Sequence, residues 1–393
     1  MKVALRGCVG LALLAWVACG TSGDLIISHP DASEASGEEV DEAFEASTDE
    51  EAAPEATDTT AADEATPADP CTNHGPYPAT LFVANQDYIN AALGVINCAQ
   101  DSLQIDQLEF PVGNLPEMLM NALKAAVKRG VHVQVLLDEI TTDNAGRVTT
   151  LTAAGADARL STTSRTLHVK LIVADRARVL VGSTNFSQGS MKYNNEVNWL
   201  LSTAALGETF AKYSDALWTK DSTACTIPTA AIAGVTPMGD GQYHDTVYPL
   251  IKNATKRVRL IMYQLNPDND ASSPSTRLLQ AVIDAKARGL DVRVVLENQP
   301  IGSCNKDAFD AMKAGGVDVR ADPAGVTTHA KLVLADDNVV LYSGNWTYSG
   351  LEKNHEAGAV IPDATLAAQA STYFDKVWLT TTVPATWSCT SSP

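Results

Sequence analysis

The sequence is poor in three features that would assign it to a common class: positive charge, closely spaced cysteines and long apolar runs. Its 393 residues include 28 Lys and Arg against 47 Asp and Glu, which disfavours a protein that coats nucleic acid through a basic surface. None of the seven cysteines forms a C-x-x-C pair, so a zinc site is not indicated. The apolar run at 9–18 is too short for a stable membrane span. The length allows two domains or one large duplicated domain.

The acidic residues are concentrated in one segment of the chain. Residues 24–70 hold 16 Asp or Glu and no Lys or Arg, whereas residues 71–393 hold 31 acidic against 26 basic residues. A segment of that composition cannot bury enough apolar surface to offset its ordering entropy. We therefore predict a disordered acidic linker over 20–72, which serves either as a tether or as a solubilising segment without a specific partner.

The first 19 residues have the layout of an export signal. Lys2 and Arg6 precede the apolar run, and small residues surround Cys19 at its end. This end resembles a bacterial lipoprotein signal, which implies that Cys19 is lipidated, although an ordinary cleavage site fits as well. We expect a signal peptide at 1–19 and an exported chain, either an outer or cell-surface membrane lipoprotein or a secreted protein.

Five cysteines remain for the folded part: Cys71, Cys98, Cys225, Cys304 and Cys389. An exported chain permits disulfides, and five cysteines allow at most two internal bridges with one thiol left over. The spacing leaves the pairing open.

The chain repeats itself at a distance of about 160 residues. Residues 119–138 and 278–297 each read as an amphipathic helix that ends at Arg-Gly and is followed by an alternating strand. A strand also precedes each helix, and the strand–helix–strand order predicts a right-handed crossover between parallel strands. The fold class is therefore α/β: two similar αβα sandwich lobes, at 73–226 and 240–389, related by a pseudo-twofold axis, with a disordered N-terminal segment.

The individual elements can be placed approximately. We predict the strands before the crossover helices at 103–110 and 258–265. Short helices are predicted at 145–154 and 306–314, and closing helices at 206–218 and 366–378. Because the two sets match one for one, a site is expected at the interface of the lobes.

The same pattern of polar residues occurs once in each half. A His, a Lys two residues later and an Asp five residues after the Lys are followed by Ser, Asn and then Glu eleven residues beyond the Asn. The first set is His168, Lys170, Asp175, Ser183, Asn185 and Glu196, and the second is His329, Lys331, Asp336, Ser343, Asn345 and Glu356. A lone His is usually structural, but two copies at equivalent places in a repeat indicate a site.

These segments resemble the phospholipase D superfamily, whose signature is two copies of H-x-K-x4-D-x6-G-S-x-N. The resemblance extends over residues 80–389, and the first copy matches it completely. The second copy departs after Asp336, where Ser343-Gly344-Asn345 stands in place of G-S-x-N and is one residue early. The constant distance from Asn345 to Glu356 indicates that Asn345 keeps its role.

The resemblance implies a metal-independent phosphodiesterase without a cofactor. His168 would attack phosphorus and form a phosphohistidine, while His329 protonates the leaving group. The Lys and Asn residues would bind the phosphate oxygens, as would Ser183 and Ser343 unless these only orient other groups. Asp175 and Asp336 belong to the catalytic motif, but they sit at turns and are expected to fix the hairpin or the lobe contact rather than to act as acids.

Carboxylates are needed to orient the histidines, and Glu196 and Glu356 are the repeated ones. Following the superfamily, we predict a crossed arrangement in which Glu356 contacts His168 and Glu196 contacts His329. His355 is expected to be an exposed spectator. Most of the aromatic residues beside the motifs are expected to pack at the sheet edge: Phe186, Tyr193, Trp346 and Tyr348.

The substrate that the resemblance favours is a phospholipid headgroup ester, cleaved with water or an alcohol as acceptor. The chain would be a monomer with both half-sites, held at a membrane by its lipid anchor, and nucleic acid is disfavoured as a partner. Cardiolipin synthases of the superfamily usually begin with two membrane spans, which this sequence does not show. Two alternatives stay open: a secreted nuclease of the same superfamily, and an inactive surface protein that binds anionic lipid.

Overall fold

The computed structural model describes residues 80–162, 164–298, 304–323, 325–384 and 387. Several sequence predictions lie outside these residues: the signal peptide and acidic linker, the first residues of the first lobe, the lipidation site Cys19, and the cysteines at 71 and 389.

The first lobe is built on a seven-stranded sheet within the described residues. In chain order its strands are β1 (Thr80–Ala84), β2 (Ser102–Gln107), β3 (His132–Leu137), β4 (Asp157–Leu160), β5 (Lys170–Ala174), β6 (Arg178–Gly182) and β7 (Val197–Leu201). Their order across the sheet is β1-β7-β6-β5-β2-β3-β4. Strands β2, β3 and β4 run parallel, and the other neighbours are antiparallel.

The second lobe repeats this sheet strand for strand. Its strands are β8 (Thr236–Met238), β9 (Arg257–Met262), β10 (Asp291–Leu296), β11 (Asp318–Ala321), β12 (Lys331–Ala335), β13 (Asn338–Tyr342) and β14 (Gly358–Pro362). Read from β8 the order is β8-β14-β13-β12-β9-β10-β11, with β9, β10 and β11 again parallel. The predicted α/β fold with two similar lobes is confirmed.

Nine α-helices lie within the described part of the chain. They are α1 (Asp87–Asn97), α2 (Asn114–Lys128), α3 (Asn144–Ala153), α4 (Gln188–Lys192), α5 (Ala204–Lys220), α6 (Tyr243–Asn253), α7 (Pro274–Ala287), α8 (Lys306–Ala314) and α9 (Ala364–Thr380), and a π-helical turn spans Ser349–Lys353. The crossover helices α2 and α7 end where predicted, because Gly130 and Gly289 adopt φ angles of 92° and 89° that favour glycine.

The core that joins the lobes is apolar and contains residues of both. Strands β5–β7 with helix α5, and strands β12–β14 with helix α9, supply one continuous cluster of buried side chains. Trp199 is fully buried there, and its indole Nε1 donates a hydrogen bond to the backbone oxygen of Ala359 in the other lobe (3.2 Å). The two lobes are therefore packed against each other as one body around their motif-bearing strands.

Some details differ from the sequence prediction. The strands predicted at 103–110 and 258–265 end at Gln107 and Met262, and the residues beyond them form the loops that border the site. His168 and His329 each lie two residues before a strand, since β5 and β12 begin at the Lys. The edge strands β1 and β8 and the helices α1 and α6 were not predicted. In the second lobe the pattern is weak, because β8 is only three residues long and α6 contains Pro249.

Candidate active site

The two histidine-bearing segments meet at the lobe interface, where each pairs with the glutamate-bearing segment of the other lobe. The backbone N–H of His355 donates to the oxygen of Thr166 (2.8 Å), two residues before His168. The backbone N–H of Asn195 donates to the oxygen of Thr327 (2.9 Å), two residues before His329. This exchange brings each Glu, the next residue in its segment, beside the partner lobe's histidine.

The predicted crossed contacts between histidine and glutamate are present. Nδ1 of His168 lies 2.9 Å and 3.0 Å from the two carboxylate oxygens of Glu356. Nδ1 of His329 lies 2.9 Å and 3.1 Å from those of Glu196. Each ionised carboxylate accepts the Nδ1–H, so the tautomer is fixed and Nε2 is the nitrogen turned away from the glutamate.

Burial and charge set the protonation states of these pairs. Burial, together with the positive charges of Lys170 and Lys331, lowers the pKa of His168 to about 4, although Glu356 opposes the shift. Burial alone would raise the pKa of Glu356, but His168, Lys170 and Ser343 lower it overall. His168 is therefore neutral at neutral pH, the state in which an imidazole is a nucleophile.

The serines of the two motifs hold the glutamates. The hydroxyl of Ser183 donates to Glu196 (2.5 Å), and that of Ser343 donates to Glu356. Each hydroxyl also accepts a backbone N–H at 3.0 Å, from Val197 in the first lobe and from the corresponding residue 357 in the second. Of the two roles predicted for these serines, the structure therefore supports orientation of the carboxylates.

The shorter second motif is explained by its hairpin turn. Three residues, 175–177, join β5 to β6, whereas two residues, 336–337, join β12 to β13. The missing residue therefore lies in the turn, and Ser343 occupies the same place as Ser183. Gly182 has no room for a side chain, since a Cβ there would lie 2.3 Å from the backbone oxygen of Val197. In the second lobe Tyr342 takes that position, and the required glycine is Gly358 on the paired strand.

The motif lysines and asparagines are buried next to the histidines or in equivalent loops. Nζ of Lys170 donates to the backbone oxygen of His168 (2.5 Å), and Nζ of Lys331 donates to that of His329 (2.6 Å). Asn185 is buried and lines a small cleft between the lobes together with His329. Asn345 follows β13 at the equivalent position of the second lobe and is also buried. Their role in binding phosphate stays a prediction.

The motif aspartates do not belong with the catalytic residues. Asp175 and Asp336 follow the far ends of β5 and β12, about 17 Å along a five-residue strand from the histidines. Asp175 accepts backbone N–H groups of residues 100, 101 and 102, and Asp336 accepts those of 255, 256 and 257. Assigning them to the catalytic set is wrong, because each carboxylate instead anchors the loop that enters the neighbouring strand.

We expect Asp336→Asn to destabilise the fold by about 1–2 kcal/mol at pH 7, through weaker backbone hydrogen bonds. Burial raises the pKa of Asp336, but the N–H groups of Thr255, Arg257 and Lys256 lower it overall from its ordinary 3.8. A lowered pKa stabilises the fold above 3.8, and this contribution is lost as pH falls through the folded value. Urea unfolding of both proteins should therefore show a difference at pH 7 that shrinks in acid. Loss of turnover in a folded variant of unchanged stability would contradict this structural role.

Two acidic residues that the sequence patterns did not single out hold the histidine segments. Asp138 follows β3 and accepts the backbone N–H of Leu167 (2.6 Å), and Glu297 follows β10 and accepts that of Thr328 (2.6 Å). Asp138 and Glu297 are the last residues of the repeated segments 119–138 and 278–297, so the signal was present in the sequence. They fix the backbone one residue before each catalytic candidate.

A small cleft opens between the lobes beside His329. It measures about 30 Å³, which is room for a water molecule or one substrate oxygen. Its lining comes from both lobes: Glu109, Asn185, Ser187, Gly189, Ser190, Asn194, Tyr263, Thr327 and His329. The ring of Tyr263 meets that of His329 edge-on, with centroids 4.9 Å apart. Tyr263 was also missed, because the first lobe has no aromatic residue at the equivalent position.

Two other expectations have mixed outcomes. Phe186 and Trp346 are fully buried as predicted, but Tyr193 and Tyr348 are exposed on the loops that carry the site. The prediction that His355 is an exposed spectator is wrong. Its ring is completely buried, with Nδ1 2.5 Å from Oδ2 of Asp240 and Nε2 2.7 Å from the backbone oxygen of Asp221.

One group among the described residues has the composition of a metal site: Cys225, Asp240 and His355, whose ligand atoms lie within 4.8 Å of one another. Both nitrogens of His355 already contact oxygen acceptors, so a metal would have to displace hydrogen bonds that are in place. Cys225 is a buried free thiol, whereas Cys98 and Cys304 are disulfide-bonded. No helix in the described ranges is long and apolar enough to cross a membrane.

Comparisons with known proteins agree with this architecture. Residues 93–218 and 247–378, more than half of the chain, match the family described as cardiolipin synthase, PLD-like domain. A 108-residue stretch, 27% of the chain, is 29% identical to the mitochondrial cardiolipin hydrolase of Xenopus tropicalis. The match covers 50% of that relative, so the chain spans about half its length.

Two solved structures share the fold. A phosphatidylserine synthase from Haemophilus influenzae Rd KW20 superposes with a TM-score of 0.62 at 14% identity, covering 79% of this chain and 88% of its own. A polyphosphate kinase from Porphyromonas gingivalis has a TM-score of 0.57 at 13% identity, covering 75% and 46%. At such identities the likeness concerns the fold alone. With its two matched lobes and paired motifs, the chain belongs to the cardiolipin synthase PLD-like domain family of the phospholipase D superfamily.

Proposed function

We propose that the chain is a phosphodiesterase that cleaves phospholipid headgroup esters through a phosphohistidine at His168. The observation that carries this proposal is the pair of histidines from different lobes, each with Nδ1 on a buried carboxylate of the other lobe. That geometry presents two oriented Nε2 atoms to one interface, which suits in-line displacement at phosphorus.

In the first step Nε2 of neutral His168 forms a bond to phosphorus, and the bond from phosphorus to the headgroup oxygen breaks. His329 in its protonated form gives its Nε2 proton to the departing alkoxide, while Glu196 stabilises the imidazolium. The assignment of His168 as nucleophile is supported by its lowered pKa, which keeps it neutral.

In the second step His329, now neutral, removes a proton from water or from an alcohol. The oxygen attacks phosphorus, the bond from phosphorus to His168 breaks, and both histidines return to their starting states. Water gives a phosphatidic acid and an alcohol gives a new phosphodiester, so hydrolysis and headgroup transfer differ only in the acceptor.

Three observations support a phospholipid substrate. Four large apolar side chains are exposed on loops that carry or adjoin site residues, namely Ile140, Tyr193, Val326 and Tyr348. Such side chains suit contact with a lipid surface. Residues 71–393 also hold more acidic than basic residues, whereas nucleic-acid binding favours the reverse. The cardiolipin hydrolase similar to this chain is named for a lipid substrate.

The substrate class is tested by offering the protein phospholipid vesicles and single-stranded DNA in parallel. We expect release of headgroup alcohol or phosphatidic acid from the vesicles and no cleavage of the DNA. Cleavage of DNA alone would identify the secreted nuclease alternative. Vesicle binding without any product would identify the inactive lipid-binding alternative.

The lowered pKa of His168 predicts how kcat/KM falls on the acid side of its pH profile. Since only neutral imidazole attacks phosphorus, kcat/KM should stay high down to weakly acidic pH and fall as pH drops through about 4. The measurement is kcat/KM on a soluble diester from about pH 3 to pH 8, with circular dichroism at each pH to verify folding. A His168-dependent limb near the ordinary histidine pKa of about 6.5 would contradict this environment.

We propose further that the chain is exported and that Cys19 carries the lipid. The support is the sequence alone: basic residues, an apolar run and small residues around this cysteine. Radiolabelled palmitate should enter the wild-type chain but not Cys19→Ser, and a labelled variant or a cytoplasmic wild type would contradict the proposal.

A further inference from the structure

The backbone of each site glutamate is held by one side chain that follows an edge strand. In the first lobe Asn85, directly after β1, accepts the backbone N–H of Glu196 at Oδ1 (2.9 Å). In the second lobe Asp240, just after β8, accepts that of Glu356 at Oδ1 (2.9 Å). The two half-sites thus share one layout but differ in charge at this position.

A tyrosine from the other lobe completes each of these contacts. The hydroxyl of Tyr373 on α9 donates to Oδ1 of Asn85 (3.1 Å). The hydroxyl of Tyr213 on α5 donates to Oδ1 of Asp240 (2.8 Å) and lies 3.0 Å from the backbone oxygen of Glu356. The correspondence between Asn85 and Asp240 therefore extends to their surroundings.

The next neighbours differ in chemistry as well. Asn85 donates from Nδ2 to Oδ1 of Asn195 (3.3 Å), which makes a neutral amide pair. Asp240 contacts Nδ1 of His355 (2.5 Å), whose Nε2 contacts the oxygen of Asp221 (2.7 Å). Burial lowers the pKa of His355, but the carboxylate of Asp240 and the backbone oxygen of Asp221 outweigh it and raise the pKa overall. Both ring nitrogens contact oxygen acceptors, which is the arrangement of an imidazolium paired with Asp240.

The ion pair is connected to His168 through the backbone. His355 precedes Glu356 directly, and its own N–H donates to Thr166, two residues before His168. The ion pair therefore anchors the segment that carries the Glu356 carboxylate to the Nδ1 of His168. The equivalent position behind Glu196 holds the neutral side chains of Asn85 and Asn195.

We propose that Asp240 and His355 are positioning residues for the nucleophile His168, which they orient through Glu356, and that Asn85 and Asn195 do the same for the acid His329. This inference rests on the proposed function. It assigns different positioning residues to the two histidines. The repeated motifs alone cannot make this distinction, because the paired His, Lys, Asp, Ser, Asn and Glu residues are identical in both halves.

The variant that tests this inference is Asp240→Asn with His355→Asn, which copies the pair Asn85 and Asn195 into the second lobe. Removing either charge alone would leave its partner buried and unpaired, and such a change is often strongly destabilising. The double variant avoids that charge imbalance. Asn85→Ala is the matched variant on the side of His329, and thermal melts verify that each protein is folded.

The readout is the first turnover of two soluble diesters, bis(4-nitrophenyl) phosphate and diphenyl phosphate. Nitrophenolate departs without a proton, whereas the far more basic phenolate depends on the general acid. We expect the double variant to slow the first step on both diesters by the same factor, about tenfold. Asn85→Ala should slow the diphenyl ester selectively.

The outcomes distinguish a failure of this inference from a failure of the proposed function on which it rests. A folded double variant that cleaves both diesters at the wild-type rate, or is slow only on diphenyl phosphate, overturns the positioning role and leaves the proposed function standing. A wild-type protein that cleaves neither diester overturns both. If the double variant fails to fold, nitrogen NMR of the wild type decides: a doubly protonated His355 at pH 7 supports the ion pair, and a neutral ring contradicts it.

Discussion

Replacing His168 or His329 with alanine is expected to lower turnover by roughly 10⁴-fold or more, because nucleophile and acid act in one transition state. Each histidine also pairs with a buried glutamate, so stability will change somewhat, but neither replacement opens a large cavity. The double variant should be little worse than either single one, since the residues act as a unit. The measurement is steady-state hydrolysis of a soluble diester.

His132→Ala is the matched control for these variants. His132 lies at the start of β3, and its side chain is 62% exposed in a contact with Asp157 far from the motifs. It should retain wild-type turnover. Activity above a few per cent of wild type in folded His168→Ala or His329→Ala would contradict the two-histidine assignment.

Glu356→Gln and Glu196→Gln are expected to lower turnover by roughly 10²–10⁴-fold, less than loss of a histidine. The amide leaves the nucleophile or acid in place, but it no longer fixes the Nδ1–H tautomer or stabilises the imidazolium. Ser343 and Ser183 keep a partner in each variant, since an amide oxygen can accept their hydroxyls.

Glu352→Gln provides the control from the same loop as Glu356. Its side chain is exposed on the π-helical turn, and it should leave turnover unchanged. If both site variants retain full activity while folded, the glutamates do not orient the histidines, and the crossed contacts are only structural.

The repeat made much of this arrangement predictable from sequence. Two copies of one strand and helix pattern predicted two equivalent lobes, and two copies of one motif placed His168 and His329 at their interface. The crossed pairing of Glu356 and Glu196 came from the superfamily resemblance, which also grouped Asp175 with the catalytic residues. Geometry separates them, because Asp175 follows the opposite end of the strand.

Residues that carry the same role with different identities could not be found from the sequence. Asn85 and Asp240 occupy equivalent positions, yet one is an amide and the other a carboxylate. A search for residues repeated in both halves therefore does not find them. His355 looked like a spectator because its partner Asp240 is 115 residues away, and only the fold brings them within 2.5 Å. Asp138 and Glu297 were visible as acidic residues at the ends of matching strands, but their contacts to the histidine segments required coordinates.

The proposed mechanism depends on the covalent intermediate on His168, and trapping this intermediate tests the mechanism without relying on a loss of activity. A reaction with a labelled phosphodiester is quenched at neutral to alkaline pH within the first turnover, digested and analysed by mass spectrometry. We predict the adduct on the peptide containing His168, its accumulation in His329→Ala when the leaving group needs no proton, and its absence from His168→Ala. Steady turnover without any adduct, or an adduct on His329 instead, would contradict the mechanism.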